Sequence, residues 1–126
     1  MLVLAIDTAT KIGSVSLYDE KIGVIGELNL YVKVNHSAVI MEMIDNLFKM
    51  TKLSIKDVDR VAVTVGPGSF TGIRIGVAVA KGLCYGTNKS IVGINELDLL
   101  TQNVEAGEGV VVPLIDARKE RVYYSI

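Results

Sequence analysis

The residues best suited to chemistry in this chain begin with Gly66-Pro67-Gly68-Ser69-Phe70-Thr71-Gly72-Ile73-Arg74. This glycine-rich turn follows an apolar, β-branched run from Arg60 to Val65 and precedes a run from Thr71 to Tyr85 that is too long for a strand. Glycine admits positive φ and lets an anion approach, and the first turn of a helix leaves amide donors free, so a phosphate could sit there. The spacing of Gly66, Gly68 and Gly72 is GxGxxxG, however, and no Lys-Ser or Lys-Thr pair follows, so neither the dinucleotide fingerprint nor a Walker loop is present. A tight structural turn accounts for the same residues. Asp7 and Asp116 each close an apolar run as Ile-Asp, and a carboxylate at a strand end can cap its own turn. Two imidazoles one helical turn apart can share a metal ion, but His36 is the only histidine and Ile40 stands four residues on, so that site is excluded. His36 reads as a helix-start residue, with Ser37 available as a cap. Glu42 and Asp45 read as part of a solvated stripe, and Cys84, without a second cysteine to pair with, as a small core residue in a reducing cytosol.

The elements that must position these residues follow from periodicity. Met1 to Ile6 is an apolar strand ending at Asp7, Ser14 to Tyr18 alternates after a turn around Lys11-Ile12-Gly13, and a third strand keeps Ile22, Val24, Leu28, Leu30 and Val32 on one side. From His36 to Met50, Val39, Ile40, Met43, Ile44, Leu47 and Phe48 recur at helical spacing, while Ala38, Met41 and Met50 widen the apolar arc beyond what one sheet face needs. After the strand, glycine turn and second helix come a strand at Ser90–Ile94, a third helix capped by Asn95, and a strand from Val110 to Ile115. In the second helix Gly72, Gly76 and Ala80 stand four apart, a stripe of small residues that would let another helix approach closely.

The end of the chain repeats its beginning. Leu4-Ala5-Ile6-Asp7 followed by Ser14 to Tyr18 is echoed by Pro113-Leu114-Ile115-Asp116 followed by Arg121 to Ser125. This predicts an α/β architecture of two similar lobes, with the first at 1–108 and only the opening hairpin of a second, truncated lobe at 109–126.

With Lys+Arg 13 against Asp+Glu 14, the net charge of −1 gives the whole chain no electrostatic footprint for nucleic acid, so a role on RNA would draw basic surface from a partner. At 50% apolar and 21% charged residues the composition is that of a folded globular protein, and no apolar run approaches the ~20 residues of a membrane helix. A cytoplasmic protein with no membrane partner is expected.

Ile6-Asp7-Thr8-Ala9-Thr10, His36-Ser37, the Gly66–Arg74 motif and Ile115-Asp116-Ala117-Arg118 together resemble the TsaB (YeaZ) family of the actin-like ATPase superfamily, along the whole chain in order. The resemblance implies a ribonuclease-H-like lobe with a mixed five-stranded sheet and helices. It implies a non-catalytic scaffold that binds the catalytic paralogue TsaD, which threonylcarbamoylates adenosine 37 of tRNA, in an assembly that includes the ATPase TsaE. Homodimers using the same helices are implied as well. The expected partner or dimer face comprises Val39, Met43, Leu47, Gly72, Ile73, Gly76, Val77 and Ala80, with Gly66, Pro67, Gly68, Ser69 and Arg74 beside it. No catalytic residue and no metal are expected on this chain. Asp7, Thr8 and Asp116 form a vestigial nucleotide site, ATP and Mg belong to the assembled complex rather than to this chain alone, and tRNA is met only through that complex. The alternative is a fragment of an actin-like ATPase or small-molecule kinase, against which stands Ala9, where such phosphate loops usually carry glycine.

Overall fold

The computed structural model describes residues 1–33, 36–105 and 107–126. Strands β1 (Leu2–Asp7), β2 (Ile12–Asp19), β3 (Gly23–Tyr31), β4 (Arg60–Gly66) and β5 (Ser90–Asn95) form one sheet in the order β3-β2-β1-β4-β5. β1, β2 and β3 are antiparallel neighbours, whereas β4 runs parallel to both β1 and β5. This is the mixed five-stranded sheet anticipated from the sequence. Parallel neighbours need crossovers, and helices α1 (His36–Thr51) and α2 (Phe70–Cys84) supply them.

Side chains alternate across a strand, so β1 sends Leu2, Leu4 and Ile6 to one face and Val3, Ala5 and Asp7 to the other. The first set joins Val15, Leu17, Val61 and Val63 beneath Ile40, Met43, Ile44 and Leu47 of α1 and Ala80 and Cys84 of α2. Each large aliphatic side chain buried there contributes about 1.5–3 kcal/mol. The opposite face carries Ala5, Ser14, Ser16, Ala62 and Thr64, and helix α3 (Glu96–Thr101) covers part of it.

Two expectations are corrected. The third strand does not keep one alternation: Leu17 pairs with Gly26 and Tyr18 with Val24, leaving Ile25 as an extra, bulged residue. The bulge shifts the phase, so Ile25 and Leu28 pack against the core while Ile22 and Val24 are exposed. The run from Val110 to Ile115 is not one strand. Only β6 (Leu114–Asp116) pairs, with β7 (Val122–Tyr124), in a separate antiparallel hairpin, and Val110, Val111 and Val112 lie exposed ahead of it.

Candidate functional site

The β1–β2 turn and the glycine turn meet at the carboxyl ends of β1 and β4. Thr8 is 0% exposed, and its hydroxyl donates to the Gly72 carbonyl at 2.6 Å. The Ser69 amide donates to the Ala9 carbonyl at 2.7 Å. Close packing dictates the glycines on this side. A Cβ on Gly68 would stand 2.5 Å from the Ala9 carbonyl oxygen, one on Gly72 2.0 Å from that of Thr8, and one on Gly76 2.3 Å from Thr8 Oγ1. Gly66 differs in needing its conformation, φ +104, before a cis bond to Pro67.

Anion cradles in strand-to-helix turns use free backbone amides. Here the Ala9 amide donates to Asp7 Oδ1 at 2.9 Å, that of Ser69 to Ala9, that of Gly72 to Ser69 Oγ at 3.2 Å, and that of Ile73 to the Ser69 carbonyl at 2.9 Å. The space a phosphate would take against Ala9 is filled by Gly68 itself. These four amides are already engaged, and no chemical step is derived through a nucleotide.

Asp7 and Asp116 play the same part in the two repeats. Asp7 Oδ1 accepts from the Ala9 amide and, at 2.8 Å, from the Thr64 hydroxyl, while Asp116 Oδ1 accepts from the Arg118 amide at 2.7 Å. Both carboxylates therefore cap their own turns. The turns face each other across an open cleft of about 1050 Å³, lined by Ala9, Thr10 and Lys11 on one side and Asp116, Ala117 and Arg118 on the other. Arg118, Lys119 and Glu120 all have positive φ, an uncommon run for residues with a Cβ.

Glu96 is the polar residue that sequence reasoning missed. It opens α3 directly after the Asn95 cap, whose Oδ1 accepts from the Leu97 amide at 2.8 Å. The residue is 4% exposed, and Oε2 has no hydrogen-bond partner among the described residues. Burial, with a smaller contribution from the charge of Asp7, pushes it up to about 7. The available signal was its position one residue past β5, a strand parallel to β4 and, one further along the sheet, to the β1 that ends at Asp7.

The expected interface residues separate into two groups. Met43, Leu47, Gly72, Gly76 and Ala80 are buried inside the lobe, so they cannot present a face to another chain. The small-residue stripe serves Thr8 and Val63 of the same chain rather than a foreign helix. Val39, Ile73 and Val77 are half-buried and Arg74 is exposed, its guanidinium 5.3 Å from the Phe70 ring centroid. At the edge of the core, Met41, Phe48, Leu53, Ile55 and, from α2, Leu83 line a largely apolar groove of about 550 Å³ beside α1, flanked by Asp45, Lys49 and Lys52. Helical periodicity thus placed in the expected face five residues of eight that the lobe itself buries. The side chain of His36 lies outside the described residues, whereas Ile40 is 0% exposed in the core, where a second metal-binding imidazole would stand.

Comparison with known proteins places this geometry. The family model "TsaD: tRNA N6-adenosine threonylcarbamoyltransferase" matches residues 14–125. The chain is 36% identical to the tRNA threonylcarbamoyladenosine biosynthesis protein TsaB of Bacillus subtilis, over 98% of this chain and 53% of that protein. It is 34% identical to TsaB of Escherichia coli, over 99% of this chain and 54% of that protein. The solved structure of YeaZ from Pseudomonas aeruginosa superposes with a TM-score of 0.86 at 30% identity, covering 98% of this chain and 58% of that one. The chain thus spans about half the length of the relatives it matches.

Proposed function

The chain belongs to the TsaB (YeaZ) branch of the TsaD family, and from that premise we propose that it is a non-catalytic scaffold lobe for tRNA threonylcarbamoyladenosine synthesis. In this reading the lobe docks the TsaD-type catalytic paralogue through the outward side of α1 and α2. The paralogue transfers the threonylcarbamoyl group to adenosine 37, a TsaE-type ATPase joins the assembly, and ATP and Mg act there rather than on this chain. A homodimer would occupy the same helices and compete with the paralogue.

The observation that carries the reading is the closed junction between the β1–β2 turn and the glycine turn. The amides of Ala9, Ser69, Gly72 and Ile73 are engaged internally, and the carboxylates of Asp7 and Asp116 are engaged as turn caps. What the lobe retains is a preformed helical face with an apolar groove beside exposed Met41. Exposed apolar grooves of this kind mark protein interfaces. The ATPase or kinase alternative has less support, because Asp7 and Asp116 are engaged as turn caps and Gly68 packs against Ala9.

The test is a reconstitution. Adding the chain to the catalytic paralogue should raise threonylcarbamoyl transfer to tRNA, while the chain alone should show no Mg-dependent ATP turnover. ATP turnover by the chain alone, or no effect on the paralogue, would overturn the reading.

A further inference from the structure

The cleft between the two turns carries a second pattern that the scaffold reading does not use. Its rim combines three cations, Lys11, Lys33 and Arg118, from three separate segments with three aromatic rings, Tyr31, Phe70 and Tyr123. The rings are 58%, 74% and 44% exposed, although large aromatic side chains are ordinarily well covered. The whole chain has Tyr 5 and Phe 2, so three of seven aromatic residues face this one opening. A net charge of −1 conceals this local clustering.

We propose that this cleft binds a single-stranded nucleic-acid segment, its phosphates met by Lys11, Lys33 and Arg118 and its bases stacked on Tyr31, Phe70 and Tyr123. Single strands are held by this combination, because every base has a π-face and every linkage a charge. Part of the backbone of the two turns is already engaged: Ser69 donates to Ala9, Arg118 to Asp116, and Ala117 to the Arg121 carbonyl at 2.8 Å. The cations come from three separate segments around an opening of about 1050 Å³, room for more than one phosphate. The choice of RNA rests on the tRNA-modification reading above, whereas binding itself does not. The chain would then touch RNA directly, where composition alone pointed to contact only through partners.

The experiment is a fluorescence-anisotropy titration of a labelled ten-nucleotide single-stranded RNA of mixed sequence, with the matching DNA, against this chain without partners. Saturable binding is expected, weakened about fivefold or more by Phe70→Ala or Tyr31→Ala. Lys33→Glu should weaken it as well and reduce the slope of log K against log salt by about 0.7 or more. Lys21→Glu, at the far end of the sheet in the β2–β3 turn, should leave it unchanged. Equal binding of RNA and DNA supports the site, since neither stacking nor phosphate contact reads the sugar. The proposal is overturned by absent saturation, by Lys21→Glu weakening binding as much as Lys33→Glu, or by ATP displacing the RNA while the aromatic variants bind normally. Because no partner is present, failure of the scaffold reading would leave this result untouched.

Discussion

The hydroxyl of Thr8 donates to the carbonyl of Gly72 across 64 positions of sequence, joining the β1–β2 turn to the first turn of α2. The junction is dry: Thr8 is fully buried, and Gly76 approaches Thr8 Oγ1 more closely than any side chain would permit. The packing of the glycine turn on the β1–β2 turn and the placement of α2 are therefore one structural fact.

Gly76→Ala should destabilise the lobe by about 1–3 kcal/mol despite alanine's better helix propensity, because overpacking at Thr8 outweighs the gain. Thr8→Ala combined with Gly76→Ala should cost less than the sum of the two single changes. Urea denaturation of the three variants measures this. A stabilised Gly76→Ala variant would mean that α2 sits further from Thr8. Bulky substitutions at Gly76 consequently report on folding, not on partner contact.

Thr64→Val keeps shape and removes the donor to Asp7 Oδ1. With a carboxylate acceptor the loss should be about 1.5–3 kcal/mol. Denaturant midpoints of wild type and variant decide it, and indistinguishable midpoints would show that Asp7 finds another donor.

Glu96 makes stability depend on pH. Its folded-state value is about 7 against an ordinary 4.5, so the folded chain holds a proton that the unfolded chain releases. That contribution is complete below about pH 4.5, declines as pH rises toward 7, and is absent above, a difference of up to about 3 kcal/mol. Glu96→Gln should flatten this slope, leaving stability near pH 5 little changed and raising it at pH 8. Thermal melts across that range test it; parallel profiles for the two proteins would show that Glu96 is ionised in the fold.

Much of the fold was legible because the buried strands announce themselves. Leu4, Ile6, Val61 and Val63 alternate or run continuously, and Val39 to Phe48 keep a helical period. The β3 bulge was not legible, since an inserted residue at Ile25 leaves apolar side chains on both phases. The repeat located Asp7 and Asp116 and gave them equivalent roles, and both appear as turn caps. The stripe of Gly72, Gly76 and Ala80 correctly signalled close approach, but sequence does not say to what, and the answer was Thr8. Glu96 escaped because a carboxylate in a first helical turn ordinarily faces water. Lys11, Lys33 and Arg118 escaped because three distant turns bring them together.

Docking of the catalytic paralogue on the outer α1–α2 face is the central claim, and one variant isolates it. Met41 is exposed beside the groove and outside the core, so Met41→Asp should leave the fold intact. Size-exclusion chromatography with light scattering, on the chain mixed with its TsaD-type paralogue, should give a one-to-one complex for wild type and separate species for Met41→Asp. Co-elution of the variant as readily as wild type, or no complex with either, would contradict the account.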